Sequence, residues 1–232
     1  MAEFTCSVCG TKFNLPDEVL AKYPNWVPKY CREHSPKKNN KSTSSGVSNT
    51  NKNASSDLLK KYPPTSMTAT VDMTPEQVLE KFEPSGPSTG IFTDGSSRPN
   101  PGPGGWGFVQ VRDGEIVAKK CGSDNNTTNN RMEMTALIEV SKSLPSDSTE
   151  TIYSDSDLSV NILTKWVKSW EKNGWKRKTG EIENLDLVKE AYALMKTHPN
   201  VKLEWIKAHC GWLWNEYANA LAISWIWNKE NN

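Results

Sequence analysis

Residues 91–107, IFTDGSSRPNPGPGGWG, constrain the fold of this chain more than any other stretch. Apolar and β-prone residues lead into Asp94. A run of Gly, Ser, Pro and Asn follows, and a second β-prone segment begins at Trp106. That pattern predicts a strand, a turn-rich loop and a second strand. The twofold period of a strand puts Phe92 and Asp94 on one face, Ile91 and Thr93 on the other. An acid on an otherwise apolar strand is costly to bury unless a partner or a bound cation takes up its charge. An Asp that merely opens a turn is the alternative, and the other carboxylates of the chain decide between the two.

A chain of 232 residues allows one or two domains and a sizeable core. Its formal charge of +1 hides a strong unevenness along the sequence, and several of its ten Trp lie beside Lys. No apolar run approaches the roughly 20 residues that span a bilayer. The N-terminus, MAEFTCSVCG, has no apolar signal core. An intracellular location is therefore expected, in the cytoplasm or, in a eukaryote, the nucleus, with no membrane partner. In such a reducing compartment the five Cys are expected as thiols or metal ligands rather than disulfides.

Residues 1–40 carry Cys6-x-x-Cys9 and Cys31-x-x-His34. Two short ligand pairs about twenty residues apart suit a tetrahedral Zn²⁺ site. Few apolar residues lie between them, and so small a unit needs a staple that zinc would supply. A redox dithiol at Cys6 and Cys9 is the weaker option, because no βαβ pattern surrounds the pair. Seven basic residues against four acidic ones in residues 1–41, together with Tyr23, Trp26 and Tyr30, suit contact with nucleic acid, double-stranded nucleic acid included. A solvated basic face fits the composition equally well.

Residues 41–89 read as a linker, since Ser, Asn, Lys and Thr leave little to bury and disorder is expected. One island, residues 74–82, has a Thr cap, a Pro at the first helical position and an acidic first turn, which predicts a short helix. From residue 90 the pattern becomes globular. Strands are expected at 106–111 and 116–121, joined by a turn at Asp113-Gly114. A polar loop is expected over 124–130. Helical periodicity then runs through Met134, Leu137, Ile138, Ser141 and Leu144, with Glu133 in its first turn. A strand at 151–155 ends in Asp155. A helix follows from Asp157 through Leu158, Ile162, Trp166 and Trp170. Another spans 184–197, a strand spans 201–208 and a last helix spans 216–227. The order β-β-β-α-β-α-α-β-α predicts an α/β fold, a mixed sheet covered by helices.

If the first and fourth of these strands are neighbours, Asp94, Glu133 and Asp155 meet at one end of the sheet. Three such acids repel one another and stay ionised only around a strong cation. All-oxygen ligation suits Mg²⁺ or Mn²⁺. Two such ions about 4 Å apart are a known device for in-line attack at phosphodiesters.

Five ordered segments resemble type 1 ribonuclease H: FTDGS from Phe92, TTNNRMEM from Thr127, YSDS from Tyr153, WVKSWEKNGWK from Trp166, and KAHCG with NEYANALA from Lys207. The resemblance covers residues 90–232 as a catalytic domain. It implies a five-stranded mixed sheet flanked by helices. It also implies a two-metal endonuclease that cuts the RNA strand of RNA–DNA hybrids, leaving a 3′-hydroxyl and a 5′-phosphate, and a monomer is expected. By resemblance Asp94, Glu133 and Asp155 hold the catalytic ions, and His209 assists product release or proton handling beside them. One position departs from the pattern. The fourth acid is Asn219, which offers an oxygen without the charge. Such a loss is expected to lower the rate by orders of magnitude while sparing binding. An engineered Asp→Asn change and a natural, non-catalytic hybrid-binding protein both account for it.

Between residues 165 and 178 six basic side chains, among them Lys172 and Lys176, interleave with Trp166, Trp170 and Trp175. The segment resembles the family's basic protrusion, whose rings pack on deoxyribose, and phosphate contacts there make binding salt-sensitive. Thr128 and Asn184 match the family's DNA-phosphate pocket, and Asn129 and Asn130 match residues touching the RNA minor groove. Ser96 and Asn100 are also expected at the nucleic acid. His198 is expected to be structural, and Cys121 and Cys210 are expected to be free thiols.

Overall fold

The computed structural model describes residues 2–5, 11–15, 17, 72–177 and 179–228. They belong to two units, Met1–Ser48 and Asn49–Asn232. In the first, β1 (Ala2–Thr5) pairs antiparallel with β2 (Lys12–Leu15), with Phe4 opposite Phe13 and their ring centroids 6.0 Å apart. Cys6, Cys9, Cys31 and His34, the expected zinc ligands, lie outside the described residues, as do residues 18–71 and Lys178.

The second unit opens with α1 (Pro75–Lys81). Thr74 caps it in the way its sequence predicts: the Thr74 hydroxyl accepts from Gln77 N, and the Gln77 side chain accepts from Thr74 N. Three antiparallel strands follow: β3 (Gly90–Ser97), β4 (Gly102–Arg112) and β5 (Glu115–Thr127). Asp113 and Gly114 both take positive φ, 52° and 84°, so the β4–β5 connection is the tight hairpin turn expected of an Asp-Gly pair. The chain continues as α2 (Asn129–Ser143), β6 (Thr151–Ser154) and α3 (Asp157–Asn161). A π-helical turn at Ile162–Trp166 leads into α4 (Val167–Lys172), α5 (Leu185–Lys196), β7 (Lys202–Trp205), α6 (Leu213–Ala222) and α7 (Trp225–Asn228). The five-stranded sheet runs β5-β4-β3-β6-β7, with β3–β6 and β6–β7 parallel and the other pairs antiparallel. The expected mixed sheet is present, and the first and fourth strands of this unit, β3 and β6, are neighbours.

The alternation along β3 divides the core as its sequence predicts. Phe92 joins Val109, Tyr153 and the α6 residues Leu213, Tyr217 and Leu221 on one face, where α1 adds Val78 and the residue after it adds Phe82. Ile91 joins Phe108 and Ile152 with Met134, Leu137 and Ile138 of α2 and Val188 and Ala191 of α5 on the other. Phe92 is wholly buried, a contribution of about 2–3 kcal/mol.

The structure departs from expectation at β5. Residues 124–127, read as loop from their polarity, continue the strand and pair with β4 through Gly104–Asp124 and Gly102–Thr127. β5 is an edge strand with mostly exposed side chains, so backbone pairing rather than apolar alternation holds it. The last long helix begins three residues earlier than expected, at Leu213. His198 is structural, as expected: it is buried, with Nδ1 at 2.9 Å from Leu194 O and Nε2 at 3.0 Å from Leu144 O. Cys121 and Cys210 are free thiols. Among the described residues no helix is long and apolar enough to cross a membrane.

Candidate active site

Thr93 and Ser154 are the last pair of the parallel β3–β6 ladder. The next residues, Asp94 within β3 and Asp155 just past the end of β6, therefore stand side by side, about one strand spacing of 4.8 Å apart. Glu133 arrives from α2, the crossover helix, and Gly95 lets it come close. A Cβ at residue 95 would stand 2.1 Å from Glu133 N, so only glycine allows the first turns of α2 to lie on β3. The result is that Asp94, Glu133 and Asp155 each offer an oxygen within 4.8 Å of the others.

Burial dominates the electrostatics of this trio and favours the neutral carboxyls. It pushes Asp94 well above the usual carboxylate range, with the Asp155 charge adding to the rise and the Gly95 amide opposing it. Burial likewise pushes Glu133 well up, helped by the charges of Asp94 and Asp155. Asp155 is raised by burial and held back by its bond from Asn215 and by the His209 charge. A carboxyl cluster at this spacing cannot be fully ionised without an added cation.

The helix α6 completes the site. Asn215 Nδ2 donates to Asp155 Oδ2 at 3.3 Å. Glu216, only 2% exposed, faces the same space. Burial raises its carboxyl, and the His209 charge and a bond from the Gly211 amide lower it. Sequence reasoning assigned no role to Glu216 or Asn215. The available signal was a charge inside the otherwise apolar run Trp212, Leu213, Trp214, Tyr217, Ala218. Asn219, half-buried, lies one turn beyond Asn215 on α6. His209 is exposed on the β7–α6 loop with φ 51°, a left-handed conformation that is unusual for a residue with a side chain.

Three buried oxygens at the site, Glu133 Oε2, Asn215 Oδ1 and Glu216 Oε1, have no hydrogen-bond partner. Unsatisfied oxygens among carboxylates suit a hard divalent cation, which takes oxygen ligands and offsets the repulsion.

Several of the residues expected at the nucleic acid are tied together around the start of α2, the helix that carries Glu133. Thr128 caps α2 by accepting from Arg131 N, and Asn129 Oδ1 accepts from Ser97 N and Ser97 Oγ. The Asn129 oxygen is thus engaged within the protein. Asn100 Oδ1 accepts from Asn129 N, tying the exposed β3–β4 loop to α2, and Ser96 is half-buried on β3. Asn184 sits at the N-cap of α5 in the left-handed region, and its Oδ1 accepts from Arg131 Nη1 at 3.2 Å. A cavity of about 240 Å³ runs between α2 and the basic arm, lined by Asn130, Trp166, Trp170, Arg177 and Asn184 among others. Trp166 is exposed, and its ring lies 5.9 Å from that of Trp170. Lys172 and Lys176 are exposed on the arm. Trp175 instead packs edge-on against Tyr192 under the Lys189 ammonium, so it anchors the arm to α5.

Known proteins share this architecture. The chain is 41% identical over 141 residues to the ribonuclease H of Afipia carboxidovorans, spanning 60% of this chain and 93% of that one. It is 42% identical over 138 residues to the ribonuclease H of Ehrlichia ruminantium, spanning 59% and 92%. Among solved structures, LC9-RNase H1, described as a type 1 RNase H with the type 2 active-site motif, superposes with a TM-score of 0.50 at 33% identity, covering 60% of this chain and 72% of that one. The family model described as RNase H matches residues 87–226, more than half of the sequence, and the chain belongs to the RNase H family.

Proposed function

We propose that this chain is an endonuclease hydrolysing the RNA strand of RNA–DNA hybrids, with 3′-hydroxyl and 5′-phosphate products. The observation that carries the proposal is the meeting of Asp94, Glu133 and Asp155 within 4.8 Å beside buried, unsatisfied oxygens. Family membership and the ribonuclease H relatives support the substrate class. Asp94, Glu133, Asp155 and the Asn219 oxygen would hold two Mg²⁺ or Mn²⁺ ions. Bound there, such ions supply a hydroxide at neutral pH and neutralise charge on the leaving oxygen.

The chain's own residues do the rest. Asn215 fixes the orientation of Asp155 through its hydrogen bond. His209, exposed at the rim, is placed to hold or pass a proton near the departing oxygen. Trp166 and Trp170 offer apolar faces for deoxyribose, where a 2′-hydroxyl would be crowded, and Lys172 and Lys176 reach phosphates. Thr128 and Asn184 take a DNA phosphate, while Asn129, Asn130, Ser96 and Asn100 meet the RNA strand. Specificity then comes from two backbones read side by side.

Asn219 gives a neutral fourth ligand, so the catalytic rate lies below that of an acid at the same place. Strand-labelled hybrid digestion in Mg²⁺ tests the whole reading. The parent is expected to cut RNA slowly and Asn219→Asp to cut it orders of magnitude faster, with DNA intact in both. Absence of RNA cleavage by both proteins would refute it. Slow cleavage by the parent with no gain from Asn219→Asp would refute the assigned role of Asn219, whereas hybrid binding without cleavage by either protein would leave the non-catalytic reading.

The domain arrangement belongs to the same proposal: a zinc module at 1–40, a linker at 41–89 and a monomeric catalytic domain at 90–232. β1 and β2 flank Cys6 and Cys9 in the sequence. A tethered second binding surface raises the effective concentration of hybrid at the catalytic domain. Deleting residues 1–40 is expected to weaken hybrid affinity, and unchanged affinity would remove this part.

A further inference from the structure

The segment before the family match, residues 72–86, packs onto the helix that completes the acidic site. Val78 of α1 and Phe82 at its C-cap are buried in the core cluster shared with Trp212, Leu213 and Tyr217. Asp72 at its start pairs with Arg98 of the β3–β4 loop. Gly86 has φ +78°, and a Cβ there would stand 2.7 Å from the Trp212 ring, so this backbone lies flat on a wholly buried indole. Ser85 is held between the Phe82 anchor and Gly86. Its Oγ donates to Gly211 O at 3.0 Å and accepts from Leu213 N at 3.1 Å.

Those two bonds fall on a weak point of the fold. The first-turn amides of a helix need acceptors, and the N-cap position of α6 is Trp212, whose indole has no acceptor to offer. The loop leading into α6 has two left-handed residues close together, His209 at φ 51° and Gly211 at φ 80°. A non-glycine residue held there carries backbone strain that its surroundings must hold in place. Gly211 is the shared node. Its carbonyl accepts from Ser85, and its amide donates to Glu216, the buried acid beside Asp155 and Asp94.

We infer that Ser85 is a positioning residue: it caps α6 from 128 residues away in sequence and, through Gly211, holds Glu216 and the His209 loop at the acidic site. Within the connection at 41–89, the segment at 72–86 thus buttresses the acidic site. The functional consequence rests on the site assignment proposed above, whereas the cap itself does not.

The test compares Ser85→Ala and Ser85→Thr in the full chain. The first readout is backbone hydrogen exchange, measured without metal or substrate well below the melting temperature. The alanine variant is expected to exchange about fivefold faster over residues 211–216, as loss of a serine cap implies, with β3 and α2 unchanged and threonine restoring protection. The second readout is hybrid cleavage in Mn²⁺. For alanine, kcat is expected to fall several-fold at unchanged KM, again with rescue by threonine. Unchanged exchange at 211–216, or exchange raised evenly through the domain, would overturn the cap. Faster local exchange with kcat unchanged would overturn the positioning role. If the parent cleaves no hybrid at all, the function proposed above falls, and the exchange readout still decides the cap.

Discussion

Replacing Glu133 by Gln is expected to stabilise the metal-free protein while destroying its response to metal. The three acids offer oxygens within 4.8 Å of one another. Two full charges at that distance, in an effective dielectric near 20, repel by about 3 kcal/mol. The cluster sheds part of this by keeping protons, so removing one carboxyl is expected to gain about 1–3 kcal/mol at neutral pH. Gln keeps the volume and can still donate to Asp94. The assay is urea unfolding in EDTA near pH 7, repeated with excess Mg²⁺. The sign with pH follows from the direction of the shift. Glu133 sits above its ordinary 4.5 in the folded state, so between the two values the folded state binds more protons and stability falls as pH rises. The gap between variant and parent should therefore open from about pH 4.5 upward and close below it. In Mg²⁺ the parent should gain stability and the variant little, with hybrid cleavage abolished. A variant less stable than the parent in EDTA, or equally stabilised by Mg²⁺, would refute the reasoning.

Two further outcomes follow. Gly95→Ala places a Cβ 2.1 Å from Glu133 N, so α2 must move off β3. A stability loss of about 3 kcal/mol by denaturant unfolding, with loss of the Mg²⁺ response, is expected; a loss near zero would contradict the close packing. Lys172→Ala combined with Lys176→Ala should weaken hybrid binding and reduce the slope of log affinity against log salt by about one for each phosphate no longer neutralised. An unchanged slope would remove these lysines from the interface.

How far the sequence foretold the structure differs by element. The Asp113-Gly114 turn was legible because positive φ at both positions selects that pair. The cap of α1 was legible because Thr74 and Pro75 carry local signals. The meeting of Asp94 and Asp155 was legible only conditionally, since it depends on β3 and β6 being neighbours, a long-range fact. The end of β5 escaped because an exposed edge strand shows no alternation. Glu216 escaped because α6 looked like core, although an ionisable group amid Trp212, Trp214 and Tyr217 was a signal to follow. Ser85 left no trace in the sequence. Its partners Gly211 and Leu213 lie more than 120 positions away, and a Ser in a Pro- and Gly-rich run reads as linker.

Anomalous diffraction from crystals of the protein grown with Mn²⁺ and a non-cleavable hybrid tests the central claim most directly. Manganese peaks ligated by Asp94, Glu133 and Asp155, facing a phosphate of the ribose strand, are the predicted result. A hybrid seated elsewhere, or no manganese among these three side chains, would contradict the account.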